Sequence, residues 1–170
     1  MTLLDAPKFD AAKSRRHALV LKCAAAALLV LFIVWWLVAG RPVDWPWYWN
    51  RYWFGRATAN KFFTALEAND LSKAYGIWQH DPNWQQHPAQ YSTYTFARFQ
   101  ADWGPMSPDN EYGPIHSYKI AESVRYGNGL LVAVTINGRV GTKDALNLDY
   151  DSRAGTLSFA PPGVGLYLGP

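Results

Sequence analysis

Few side chains in this sequence outside its basic N-terminal segment can move protons near neutral pH: His80 with Asp81 beside it, His87, Asp102 and His116. A histidine next to a carboxylate can act as a general base, because the carboxylate orients the imidazole and stabilises its protonated form. His80, Asp81 and His87 stand in a polar stretch, His80 to Pro88, broken by Asp-Pro and His-Pro pairs that read as a loop. Solvated surface side chains are the ordinary occupants of such a loop. Asp102 is different: it closes an apolar helical pattern next to Trp103, where a carboxylate is electrostatically unfavourable unless a Lys or Arg answers it. It is the leading catalytic candidate, with His80 and His116 behind it, and His116 has no partner identifiable in the sequence. The wide spacing of His80 and His87, with prolines at 82 and 88, suits no metal, and the sole cysteine, Cys23, lies in an apolar run. Gly127-Asn128-Gly129 lacks the following helix and Lys-Ser/Thr of a phosphate loop and reads as a hairpin turn. No motif calls for a cofactor.

The element that must position everything else is apolar. Cys23 to Ala39 carries no charge, and residues 18–39, with Lys22 snorkelling, are just long enough to cross a hydrocarbon core of about 30 Å at about 1.5 Å per residue. A cleaved signal shares the basic flank, but its apolar region is about 7 to 15 residues, and Leu37-Val38-Ala39 is a poor cleavage site. The net charge of +3 resides entirely in Lys8, Lys13, Arg15, Arg16 and Lys22 against Asp5 and Asp10, and the remainder of the chain is balanced. That balance excludes a nucleic-acid grip through a basic face. Basic residues crowded before the span put the N-terminus in the cytoplasm and the rest outside. The expected organisation is a cytoplasmic tail (1–17), a transmembrane helix (18–39), an aromatic juxtamembrane segment (40–54), one soluble domain (55–161) and a C-terminal tail (162–170).

Six of the nine tryptophans fall between Trp35 and Trp53. Indole rings favour the membrane interface, where an apolar body meets a polar edge. Trp35 and Trp36 fit the outer leaflet. With Asp44 as cap and Pro46 in the first turn, a helix running to about Ala68 puts Trp45, Tyr48, Trp49, Tyr52, Ala59, Phe62, Phe63 and Leu66 on one inward arc. Trp47 and Phe54 then project outward with Arg51 and Lys61, towards lipid or another protein.

Two further helices are expected, Leu71 to Trp78 and roughly Thr93 to Trp103 with Ser92 as N-cap, the latter striped by Phe96, Phe99 and Trp103. Strands follow near 115–126, at Leu130 to Ile136, about Ala145 to Tyr150, and at Leu157 to Phe159, with Asn137-Gly138 as a type I′ turn signal. The fold class is α+β: about three helices packed on a curved antiparallel sheet of about four strands, behind one transmembrane helix.

Two segments carry a resemblance. FFTALEANDLSKAYGIW, Phe62 to Trp78, resembles the opening of the NTF2-like (cystatin-like) superfamily, and NLDYDSRAGTLSF, Asn147 to Phe159, is similar to its final hairpin. The superfamily includes enzymes, ligand carriers and assembly subunits, so the resemblance implies a cone-shaped fold and no single function. Its enzymes use a carboxylate, a His–Asp pair or a Tyr in the mouth of the cone, the chemistry that Asp102, His80 and His116 would supply. Tyr94, Phe99, Trp103 and Tyr118 would line such a pocket. The layout also resembles the inner-membrane assembly subunits of type IV secretion and conjugation systems. The expectation is a non-catalytic binding or assembly module in a bacterial inner membrane, with the lipid bilayer and an envelope protein or a second copy as partners. The alternative is a tethered small-molecule binder or proton-transfer enzyme.

Overall fold

The structure, a computed structural model, describes residues 11–138 and 145–166. Lys8, Asp5, Asp10 and Gly169 lie outside the described residues. The chain divides into two units, Met1–Val38 and Ala39–Pro170.

The first unit is helix α1 (Ala11–Val38), of which Lys13–Val38 is long and apolar enough to cross a membrane. Phe32 and Trp35, one turn apart on it, meet edge to face at 6.2 Å.

The second unit is α+β. Helices α2 (Trp49–Glu67), α3 (Leu71–Trp78) and α4 (Phe96–Trp103) precede strands β1 (Tyr118–Tyr126), β2 (Gly129–Ile136), β3 (Leu146–Tyr150) and β4 (Leu157–Phe159). Local chemistry sets the boundaries. Asn69 takes the left-handed conformation (φ 54°) that ends α2, and the Asp70 side chain then accepts the Lys73 N–H at 3.0 Å to start α3. Thr95, not Ser92, caps α4 by accepting the Arg98 N–H. A 3-10 turn at Pro88–Tyr91 occupies the chain up to Ser92, so α4 starts later than the apolar spacing suggests. Asp44 does not cap α2 either. Pro46–Tyr48 forms a 3-10 turn before α2, while the Asp44 carboxylate accepts the Tyr52 hydroxyl and its carbonyl accepts the Trp49 indole N–H at 2.8 Å.

The sheet is an antiparallel meander in the order β1-β2-β3-β4. Tyr126 pairs with Gly129, so Gly127 and Asn128 alone form the first turn, and β1 carries a bulge between Ile120 and Glu122. Asn137 (φ 53°) and Gly138 (φ 70°) have the positive angles of a type I′ turn, but β3 begins only at Leu146, so they open a longer connection. The Asn137 amide also ties down the approach to β1: Oδ1 accepts from His116 N and Ser117 N, and Nδ2 donates to the carbonyls of Tyr112 and Pro114. After β4, Leu166 N donates to Asn147 Oδ1, laying the C-terminal segment along β3.

The helices pack on one face of the sheet. A Cβ on Gly55 would lie 2.7 Å from a Leu130 methyl and 2.9 Å from the Tyr150 ring, so the missing side chain lets α2 rest on β2 and β3. At the other end, Phe63 stacks on Tyr118 of β1 at 5.3 Å. The space between is filled by rings. Phe62 touches Phe63, Trp78, Phe99 and Trp103 at centroid distances of 5.1, 5.2, 6.1 and 5.1 Å, and Trp103 stacks on Phe159 of β4 at 5.7 Å. Such pairs add to the burial of their large apolar surfaces. Phe62→Ala is expected to lower the unfolding free energy by about 3–5 kcal/mol. Denaturant titration of the near-UV circular dichroism measures this, and an unchanged midpoint would show that the ring cluster does not carry the fold.

Candidate functional site

Asp102 lies in the last turn of α4 with its side chain 15% exposed, and both its oxygens are engaged. Oδ2 accepts the Tyr94 hydroxyl at 2.8 Å, and Oδ1 pairs with Arg98 at 2.9 Å, one turn back on the same helix. Arg98 is the cation that a carboxylate at a helix C-terminus requires. Burial, reinforced by the hydrogen bond to Asp102, pushes the Tyr94 phenol well above its ordinary pKa, so it stays a neutral donor. The Trp103 indole N–H, buried beside these groups, has no acceptor among the described residues. A cleft of about 320 Å³ opens here, lined by Arg98, Asp102, Trp103, Asp109 and Phe159 among others. The geometry is that of a carboxylate bracing one helix to its preceding loop.

His80 and Asp81 diverge. His80 is left-handed (φ 54°) and its ring faces Gly155, where an added Cβ would lie 2.9 Å away. Asp81 instead pairs with His87 Nδ1 at 3.0 Å and accepts the Tyr91 hydroxyl at 2.7 Å, and these two bonds hold its carboxyl below the usual range. The histidine–carboxylate pair of this loop is thus His87–Asp81, which adjacency in the sequence obscures. His116 is exposed, and its backbone N–H is bound by Asn137.

The four residues considered for a pocket do not converge on one cavity. Phe99 and Trp103 are buried in the ring cluster. Tyr94 lines a cleft of about 290 Å³ beside Phe159, and Tyr118 stacks on Phe63 with its hydroxyl bonded to Asn60. A groove of about 650 Å³ lies between α2, α3 and the loop after α3, lined by Lys61, Lys73, His80 and Trp84 among others.

The strongest concentration of exposed apolar surface in the second unit is at its start. Trp45, Trp47, Trp53 and Phe54 are 70%, 77%, 45% and 52% exposed, whereas Trp49 and Tyr52 are buried. Trp45 stacks on Trp47 at 6.4 Å, and Trp53 meets Phe54 at 5.1 Å. The guanidinium groups of Arg51 and Arg125 lie over the Tyr48 ring at 5.2 and 4.6 Å. Trp35 and Trp36, half-buried on α1, belong to the first unit. Trp47 and Phe54 point outward as the helical spacing suggests. Trp45 does not join the inward arc, because the 3-10 turn after it advances by about three residues per turn.

No protein-family model, curated protein or solved structure matches the chain.

Two outcomes follow. Removing the Asp102 charge with Asp102→Asn should cost about 1–3 kcal/mol of stability, because Tyr94 and Arg98 lose a shared acceptor; a thermal melt checks it, and no change would free Asp102 from this bracing role. The second concerns alkali. Burial, with the Asp44 hydrogen bond next, pushes the Tyr52 phenol up to about 12. An unfolded tyrosine ionises near pH 10, so the unfolded chain loses that proton first and stability falls as pH rises from about 10 to 12. Tyr52→Phe should make this decline shallower in denaturation curves across that window.

Proposed function

We propose that this chain is a membrane-anchored, non-catalytic binding or assembly module of the cell envelope. In this reading α1 spans a bacterial inner membrane with its N-terminus in the cytoplasm. An NTF2-like domain follows on the extracytoplasmic side, and an aromatic collar holds it close to the bilayer. The observation that carries the reading is the outward display of Trp45, Trp47, Trp53 and Phe54 together at the start of the second unit, whereas most of its other rings pack inward, Tyr126 and Phe159 excepted. Surface of this kind on a folded protein is characteristic of contact with lipid or a partner. The order of helices followed by an antiparallel meander supports the NTF2-like assignment, and the basic residues Lys13, Arg15, Arg16 and Lys22 in the first half of α1 support the orientation.

The alternative, a small-molecule binder or proton-transfer enzyme with its site in the cone, needs a hollow interior and a polar group aimed into it. The ring cluster around Phe62 occupies that space, and the carboxylate of Asp102 is already engaged. The packed interior therefore favours binding through the outer surface.

Photo-crosslinking in cells from a reactive side chain at position 47 or 54, followed by purification of the tagged full-length chain, tests the role. Discrete adducts with an envelope protein or a second copy are expected, and adducts with lipid alone would overturn assembly. Orientation is read separately: Asn128→Cys should label with an impermeant maleimide on intact spheroplasts, and Lys13→Cys only after lysis. The reverse pattern would overturn the topology.

A further inference from the structure

The beginning of α2 carries a second chemistry beside its exposed rings. Tyr48, Tyr52 and Arg56 recur at spacings of four, which places them along one helix face. That face meets the end of β1. Arg56 Nη1 donates to Ser123 Oγ at 3.3 Å, and the Arg125 guanidinium lies over the Tyr48 ring. Ser123 and Arg125, two apart on one strand, share a side of the sheet.

Arg56 is half-buried, and burial depresses its pKa. A charge removed from water in this way is costly unless an opposite charge answers it. Among the described residues no carboxylate comes within ion-pair distance of it: the ion pairs found there use Asp81, Asp102 and Asp109. Asp44, the acidic residue nearest along the segment, accepts the Tyr52 hydroxyl. Glu122 precedes Ser123 and so projects to the other side of β1. The backbone is also shaped to the guanidinium. Gly40, at φ 88°, lies so close that a Cβ there would be 3.0 Å from Arg56 Nε and Cζ. Arg41 follows immediately.

We propose that Arg56, with Arg125 beside it at the end of β1, binds the phosphodiester headgroup of an anionic phospholipid. A guanidinium presents a planar fork of donors that matches phosphate oxygens. The exposed indoles of Trp45, Trp47 and Trp53 supply the apolar contact that accompanies a headgroup at the interface. Gly40 follows the end of α1 closely in the chain, so connectivity alone keeps the Arg56 site near any membrane that α1 crosses. This part of the argument rests on the proposed membrane anchoring.

The test uses the full-length protein reconstituted in nanodiscs of phosphatidylcholine with a minority of phosphatidylglycerol, then released into mild detergent and examined by native mass spectrometry. Wild type should retain phosphatidylglycerol several-fold above its share of the bilayer, and Arg56→Gln should retain it at that share, with Arg56→Lys between. Wild-type retention at the bulk ratio, or undiminished retention by a folded Arg56→Gln, overturns the assignment. If Arg56→Gln does not fold, Arg125→Gln at the exposed end of the site is expected to lower retention, and unchanged retention overturns the assignment as well. Displacement of the lipid by inorganic phosphate at constant ionic strength would identify a free-phosphate site and overturn the lipid as occupant. Extraction of wild type from membranes by alkaline carbonate would overturn the anchoring itself. A wild type that stays in the bilayer without headgroup preference overturns only the Arg56 site.

Discussion

Phe62 stands where the three helices of the second unit converge, and the rings it touches come from α2, α3 and α4. Because ring edges meet ring faces at fixed distances, moving any one helix separates several contacts together. Trp103 extends the cluster to Phe159, so even the short β4 is held by stacking as well as by its ladder to β3. The same cluster fixes the Tyr94–Asp102–Arg98 group. With Phe99 and Trp103 locked inward on α4, Arg98 and Asp102 emerge along its margin, where the loop carrying Tyr94 closes over them.

The aromatic residues of this chain serve two opposed ends. Those from Phe62 onward mostly build an interior, whereas most of those from Trp45 to Phe54 remain outside, and Trp49 and Tyr52 mark the change. These two turn inward because Asp44 receives both of them, one through its carbonyl and one through its carboxylate. One acidic residue thus joins an outward-looking surface to the folded body, and leaves Arg56 without that carboxylate as a counter-ion.

Much of the fold was legible because its boundaries are written locally. Asn69-Asp70 stops one helix and starts the next, Gly127-Asn128 closes a hairpin, and Leu71–Trp78 and Leu157–Phe159 occur where their patterns put them. The errors arose where distant groups compete for a local signal. Asp44 looks like a cap until a phenol eight residues later claims its carboxylate, and Ser92 loses that role to Thr95 because a 3-10 turn intervenes. The candidate sites were less legible still. Asp81 prefers His87 to its neighbour His80, and Asn137 bridges back to four backbone groups between Tyr112 and Ser117. Neither pairing has a period or a spacing to reveal it. Arg56 is a further case, since an arginine on an amphipathic helix reads as solvated until the opposing strand and Gly40 enclose it.

Among the described residues the meander has two unpaired edges, β1 and β4, and each is made unsuitable for pairing with another sheet. β4 is three residues long. β1 is interrupted by its bulge, and Lys119, Glu122 and Arg125 are exposed along it. Bulges and charges on an edge strand block the edge-to-edge hydrogen bonding that begins aggregation. A sheet blunted at both ends is a poor template for its own copies, so the geometry of these edges works against ribbons of paired chains.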